Sequence, residues 1–585
     1  MKLKRSIRLL LVCVLVISLL GCGIESQQDP TNGETIGKWE INTEQDIHIR
    51  DQNLLYANQD DTQIVTMYLT VSKGNAAEGT NHTWEEINTY SVYDYEQMGV
   101  DRYKVAGLLQ VGNENGPVVG EFGYDQQAPN CTVQIRGQTS SNNTQKNYKI
   151  SIKDNKGSWR GQTTSALNKH QTDGLRFRNK LAYTLLSEID ELMSLRTTFV
   201  RLYVKDTTKG DNAAFEDYGI YTQVEQLNKT ALERHGLDKR GHLYKINFCE
   251  FFRYEDTIVL KNDPKYDVKK FEQILEIKGD DDHSKLIALL EKISDYTIPI
   301  ETILNDHLDV ENITYWMAFN ILMGNCDSQN RNFYIYSPQN VDRWYIYPWD
   351  MDAMLKRPEY ELDGRSDYGG WESGVSNYWG NVLFQRCLKS ESFREELDKA
   401  VEDLYGRFTE SYIMSRVNRY ADLLRPLVYS GKDLTYAPLK PAEYDLMVSS
   451  IPEQIRDNYQ RYQQSLKNPL PFYIGVPEKT ESGYELQWDA AYDFNQEDIT
   501  YSFELAADYL FENPIIKEEN VVIPVMQLPQ LAPGQYFIRV LATNESGLSQ
   551  CAFDYYNIAS GKVYGVKCFY VAADGSIVED VYVEG

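Results

Sequence analysis

The segment Gly324-Asn325-Cys326-Asp327-Ser328-Gln329-Asn330-Arg331-Asn332 sets a carboxylate five residues before a carboxamide. The run Trp344-Tyr345-Ile346-Tyr347-Pro348-Trp349-Asp350-Met351-Asp352 adds two more carboxylates at the end of an apolar stretch. A carboxylate to accept a hydroxyl proton, with an amide oxygen and further carboxylates to hold a hard divalent cation, is the equipment of phosphoryl transfer. In that chemistry Asp327 orients and deprotonates the acceptor hydroxyl. Asn332 and Asp350 hold Mg2+, and Asp352 serves as a second ligand or as a supporting acid. The Asp327–Asn332 interval matches the catalytic loop H-R-D-x-x-x-x-N of protein kinases. The chain has no ordinary H-R-D, no D-F-G and no glycine-rich loop followed by a strand lysine. Cys326, with no histidine nearby to activate it, reads as a small buried hydrophobe.

These groups need elements to carry them. β-branched and aromatic runs predict strands over Gln63–Val71, Tyr103–Val111, Pro117–Phe122, Cys131–Gly137, Asn147–Lys153, Thr198–Val204 and Tyr218–Val224. Apolar spacing predicts helices over Leu175–Leu195, Asp267–Ile277, Ser284–Ile293, Ile300–Leu304 and Val310–Met323. Strands Asn332–Tyr336 and Arg343–Pro348 then frame the acidic motifs, and Phe393–Leu427 and Ile451–Leu466 return to helix. The stretch Lys356–Gly380 reads as a long irregular loop whose Trp371, Tyr378 and Trp379 can stack on a nucleotide or peptide, or pack beneath the loop. Beyond Asn468-Pro469-Leu470-Pro471 the pattern of short strands resembles a fibronectin type III sandwich over residues 475–556, suited to display or adhesion. Residues 557–585 follow as a hairpin tail.

At 585 residues the chain exceeds one ordinary core and predicts several domains. A formal charge of -27 argues against nucleic acid and against an anionic bilayer as partners, and favours a basic one. The amino terminus runs the other way. Lys2, Lys4, Arg5 and Arg8 precede the apolar run Leu9–Leu20, which ends in Gly21-Cys22. Leu19-Leu20-Gly21-Cys22 resembles a bacterial lipobox, so residues 1–22 read as a lipoprotein signal, with Cys22 acylated after cleavage. Residues 23–37 are then a tether, and the protein is an exported lipoprotein on the outer face of the membrane or cell surface. The later cysteines lack metal-ligand spacing, so zinc is not expected.

Four motifs in order carry a wider resemblance: Arg136-Gly137-Gln138-Thr139-Ser140 with Lys146-Asn147-Tyr148-Lys149, Gly219-Ile220-Tyr221 through Val224-Glu225-Gln226, and the two acidic segments. Residues 130–467 resemble the CotH family, the spore-coat protein H type of atypical protein kinase. The resemblance implies a two-lobed kinase-like domain, β-rich first and helix-rich second, in a multidomain α+β protein; residues 38–129 are a β-rich region that can belong to the first lobe. It implies ATP with Mg2+ or Mn2+ as cofactors and Ser/Thr phosphorylation of a surface or basic coat protein, in a location that can be spore-related. Residue by residue it implies Asp327 as catalytic and Asp350 as metal-binding. It makes Lys146 the phosphate contact, with Lys149 as its rival, and Glu225 the ion-pair partner of that lysine. Arg136 adds charge at the phosphates. Two other readings remain open: a non-catalytic surface or coat-assembly scaffold, and an acidic, aromatic-lined carbohydrate site. The sandwich would add contact with a cell-surface polymer.

Overall fold

The computed structural model describes residues 48–57, 63–210, 213–362, 370–559 and 561–580. The signal segment, Cys22 and the tether lie outside the described residues. The first half builds an eight-stranded sheet from β1 (Ile64–Ser72), β2 (Val105–Asn113), β3 (Gly116–Pro117), β4 (Cys131–Arg136), β5 (Asn147–Ile152), β6 (Thr164–Asn168), β7 (Thr197–Asp206) and β8 (Glu216–Glu225), ordered β1-β7-β8-β6-β5-β4-β2-β3. Strand β1 runs parallel to β7 and antiparallel to β2, so the ladder closes on itself, with the two-residue β3 left as a short edge on β2. Alternation sets the inner face: Cys131, Val133 and Ile135 of β4 are buried, as are Leu69, Val200 and Leu202 opposite. The strands before residue 130 therefore belong to the same sheet as those after it. Of the predicted strand Pro117–Phe122, only Pro117 falls in a paired strand, Gly116–Pro117.

A second, antiparallel sheet of β9 (His242–Ile246), β10 (Leu275–Ile277), β11 (Phe333–Ser337) and β12 (Tyr345–Pro348) is ordered β10-β9-β11-β12. Its strand β10 shortens the predicted helix Asp267–Ile277 to Val268–Ile274, because Leu275 and Ile277 pair with Ile246 and Tyr244. The predicted helix Leu175–Leu195 is a helix only over Arg178–Leu186. Beyond it Ile189, Leu192, Met193 and Leu195 are buried from turns and extended chain, with Glu188 and Asp190 exposed between, so the apolar content does not report a helical face.

Helices Val310–Leu322, Glu391–Arg407, Glu410–Val428 and Pro441–Ser465 complete one core shared with the second sheet. The predicted loop Lys356–Gly380 contains helix Arg357–Leu362 and a 3-10 turn at Gly374–Tyr378. Trp371, Tyr378 and Trp379 are buried, so these rings are packing groups with no face left for a ligand.

Past residue 470, a three-stranded sheet and a six-stranded sheet share an apolar core, with Tyr484, Leu486 and Trp488 meeting Phe503, Ile538 and Phe569. The segment after residue 556 contains a hairpin of Val566–Val571 with Ile577–Glu579, and it is built into the six-stranded sheet, where Val566–Val571 pairs along Gly534–Arg539. The six cysteines from Cys131 onward are free thiols. Among the described residues no helix is long and apolar enough to cross a membrane.

Candidate active site

Helix Val310–Leu322 starts on Asp309, whose carboxylate accepts from the Asn312 N–H at 2.9 Å. It ends where Gly324 turns left-handed at φ 60°, with the Asn458 amide donating to the Leu322 carbonyl at 3.0 Å. The chain then makes a 3-10 turn at Cys326–Ser328 and enters β11 through Asn332, itself left-handed at φ 62°. In the β11–β12 hairpin Phe333 pairs with Pro348, which brings Asn332 beside Trp349 and Asp350 one step beyond the ladder. Asp350 also takes the left-handed region, at φ 54°. Two non-glycine residues held there, at the ends of adjacent strands, mark a locally strained corner of the kind found at working sites.

Within this corner the Asn332 amide donates to the Asp327 carboxylate at 2.7 Å and to the Asp327 carbonyl at 3.2 Å. Its nitrogen is thus occupied, while its oxygen has no hydrogen-bond donor among the described residues. Arg331 pairs with the other Asp327 oxygen at 2.9 Å, and the Asp327 side chain keeps 40% of its surface open. Solvent reaches this carboxylate from one side while protein surrounds it on the others. That burial, helped by the charges of Asp350, Asp352 and Glu372, lifts its pKa to about 6 against the pull of Arg331.

Asp350 and Asp352 form a split pair. Burial, then the charge of Asp352, pushes Asp350 upward against Arg136, Lys245 and His170. Burial opposes the charge on Asp352 too, but His170, hydrogen-bonded at 3.2 Å, and Lys356 hold it low. The Asp350 side chain has no hydrogen bond or ion pair among the described residues. A crowded carboxylate without a partner, beside a second acid and a free amide oxygen, fits a divalent cation. Among the described residues no three His, Cys, Asp or Glu side chains converge to hold a metal unaided. Such a cation would take its remaining ligands from phosphate and water, as Mg2+ commonly does.

Of the groups read from the sequence, Asp327, Asn332, Asp350, Asp352 and Arg136 meet here. Arg136 donates to Asn168, lies 5.6 Å from the Trp349 ring centre and lowers the pKa of both Asp350 and Asp352. Lys146 does not join them: its ammonium donates to the Ser141 carbonyl at 2.6 Å. Lys149, within β5, is held below the usual lysine range by burial and by Lys278, next to Glu276. The expected pairing of Glu225 with Lys146 is not formed. Glu225 is ion-paired to Arg196 and to His235, the latter at 3.0 Å, and His235 also meets Asp51 at 2.6 Å. Burial opposes the charges of Arg196, Glu225 and His235. The hydrogen bonds overcome it, raising His235 to about 9 and lowering Glu225 to about 2.

The cluster has a measurable consequence. Glu225→Gln leaves buried Arg196 without its anion and His235 with Asp51 alone, and should cost about 3–5 kcal/mol of stability. The His235 contribution is complete below its unfolded value of 6.5 and fades as pH rises through about 9. The Glu225 contribution is complete above its unfolded value of 4.5 and fades as pH falls through about 2. Melting of wild type and E225Q from about pH 3 to 10 should therefore differ most at about pH 5–6.5. A constant difference would refute the assignment.

Sequence reasoning missed the cations of the second sheet. Glu276, Lys245 and Tyr334 lie side by side on β10, β9 and β11, so their side chains share one face. Lys245 has no hydrogen bond or ion pair among the described residues; burial lowers its pKa, while Glu276 and Asp350 sustain its charge. Arg102, Lys149 and Lys278 gather about the same Glu276. In a chain of net charge -27 this is a local concentration of cations next to the carboxylates. The available signal was a lysine inside the otherwise uncharged strand His242-Leu243-Tyr244-Lys245-Ile246.

The inner spore coat protein H of Bacillus subtilis (strain 168) is 23% identical over 319 residues, 54% of this chain and 82% of that protein. Two solved structures are similar: the Helicobacter pylori proinflammatory kinase CtkA, at 12% identity over 54% of this chain and 94% of that one with TM-score 0.23, and the Shewanella oneidensis MR-1 toxin–antitoxin complex of HipA and HipB with operator DNA, at 13% over 51% and 58% with TM-score 0.22. The CotH kinase protein family matches residues 133–468, more than half of the chain. The protein belongs to the CotH kinase family.

Proposed function

We propose that this protein transfers the γ-phosphoryl group of ATP to Ser or Thr hydroxyls of a protein in a reaction that needs Mg2+ or Mn2+. One observation carries the reading: Asp327 is tied to Asn332 at 2.7 Å and lies within electrostatic reach of Asp350 and Asp352. Family membership supports it. With a pKa of about 6, Asp327 is ionised near neutral pH and still basic enough to accept the proton leaving the acceptor hydroxyl. Asn332 and Asp350, with Asp352 beside them, would hold the metal, which supplies charge neutralisation at the phosphates. Lys245 and Arg136 orient the polyphosphate, with Lys149 nearer than Lys146 to that group of cations. An acceptor rich in Lys or Arg suits the protein's negative charge. A surface or spore-coat protein is the proposed substrate class, in keeping with the name of the Bacillus subtilis relative. The lipid anchor at Cys22 and the export it implies remain part of the proposal, as does polymer contact through the carboxy-terminal sheets.

Thermal melting checks binding separately from chemistry. Mg2+ or Mn2+ together with ATP should stabilise the chain by about 2.7 kcal/mol at a hundredfold excess over Kd, and either alone by much less. No shift with the pair would favour a scaffold without nucleotide.

A further inference from the structure

The residues after 468 lie outside the family match, yet they reach the catalytic loop through a chain of contacts. Trp371 stands edge-on to Phe553 at 5.1 Å and to Tyr564 at 6.1 Å. Glu372 next to it is 9% exposed; it pairs with Lys562 at 2.8 Å and accepts from the Tyr564 hydroxyl at 2.7 Å. Lys562 in turn lies 4.5 Å from the Tyr555 ring centre. A side chain at Gly370 would meet the Tyr564 ring at 2.8 Å, so the two segments are in close contact.

The same strap, residues 370–381, continues into the catalytic side. The Tyr378 hydroxyl shares a hydrogen bond of 3.1 Å with Ser328, the residue after Asp327. The Asn381 amide donates to the Gln329 carbonyl at 3.0 Å and to the Cys249 carbonyl at 3.2 Å. Glu372 and Cys326 line one cavity beside the loop, together with Gly324 and Asn325. Of the strap residues, Trp371 and Glu372 are held by the carboxy-terminal sheets and Tyr378 and Asn381 hold residues 328–329.

We propose that the carboxy-terminal β-domain is a working part of the phosphotransfer centre, with Lys562 and Tyr564 as positioning residues that fix the 370–381 strap and, through Tyr378 and Asn381, the loop bearing Asp327. A charge-assisted, mostly buried contact such as Glu372–Lys562 holds geometry well, because breaking it strands a carboxylate away from water. The Lys562 and Tyr564 side chains approach the loop without touching the reacting groups. Their effect therefore falls on the placement of Asp327 and not on nucleotide binding.

The kinetic side of this inference rests on the phosphotransfer reading, so the test uses a readout that does not. Hydrogen–deuterium exchange is followed on the full chain as wild type, K562M, K562R and Y564F, with melting temperatures measured alongside. Peptides covering residues 324–332 should exchange roughly tenfold faster in K562M and Y564F, with K562R restored towards wild type and melting little changed. Where wild type transfers phosphate from Mg2+-ATP, K562M should lower kcat severalfold and leave KM for ATP unchanged. Faster exchange confined to residues 370–373, with the 324–332 loop unaffected, would overturn the inference. So would a uniform rise throughout the chain, since the contact would then serve stability alone. Absence of transfer in wild type would count against the phosphotransfer reading, while the exchange result would still decide the coupling.

Discussion

Asp327→Asn should abolish phosphate transfer to within ~10²–10⁴-fold below wild type while leaving stabilisation by Mg2+-ATP intact. The substitution keeps the shape and removes the proton acceptor. It leaves Asn332, Asp350 and the Lys245–Arg136 cations where they are, so nucleotide binding has no reason to fail. The environment of Asp327 adds a second expectation. Because burial and neighbouring acids raise its pKa to about 6, its charge is unfavourable to the folded state above that pH. This penalty disappears below the unfolded carboxylate value of 3.8. D327N should therefore melt no lower than wild type near neutral pH. Wild-type kcat should fall as pH drops through the same region, because protonated Asp327 accepts nothing. Transfer that persists in a folded D327N would remove Asp327 from the chemistry.

Asp350→Asn should have an effect as large by a different route. It takes away the unpartnered carboxylate proposed to hold the cation, and a loss of about a thousandfold in transfer is expected. Here the stabilisation by Mg2+-ATP should vanish as well, which separates this variant from D327N. Without ligands, D350N should melt higher than wild type near neutral pH. The raised pKa of Asp350, caused by burial and then by Asp352, means that its ionised form costs stability, and this cost is lost as pH falls towards and below the unfolded value of 3.8. A variant destabilised without ligand and still stabilised by Mg2+-ATP would contradict the role given to Asp350. Melting with metal and nucleotide across pH makes both comparisons.

The grouping at the corner was legible because it depends on short-range geometry. The Asp327–Asn332 interval spans one turn, and the β11–β12 hairpin follows from two apolar runs separated by polar residues, so Asn332 and Asp350 had to come close. Most strands of the closed sheet were legible, but β6 was missed and so was the ring, since the β1–β7 pairing joins residues far apart in sequence. Charge partners were the weak point. Glu225 carries the right residue type for pairing a lysine, but Arg196 lies across from it and His235 follows within one short helix. Local sequence does not say which cation reaches a buried acid first. Lys146 lies just before β5 and Lys149 within it, and choosing between them needed Glu276 of β10. Lys245 escaped notice because its role comes from a sheet assembled out of three separated segments. The aromatic strap was read as a loop from its glycines and serines. Its order comes from Phe553 and Tyr564, nearly two hundred residues on.

The claim on which the account turns is that the acidic corner moves phosphate. The direct measurement is incorporation of the γ-phosphate of labelled ATP into the chain itself and into a lysine-rich, serine-containing polypeptide, by wild type, D327N and D350N, with Mg2+, with Mn2+ and with chelator. The account predicts metal-dependent incorporation by wild type and its loss in both folded variants. Equal incorporation by all three proteins, or none by a wild-type chain that Mg2+-ATP stabilises, would contradict it.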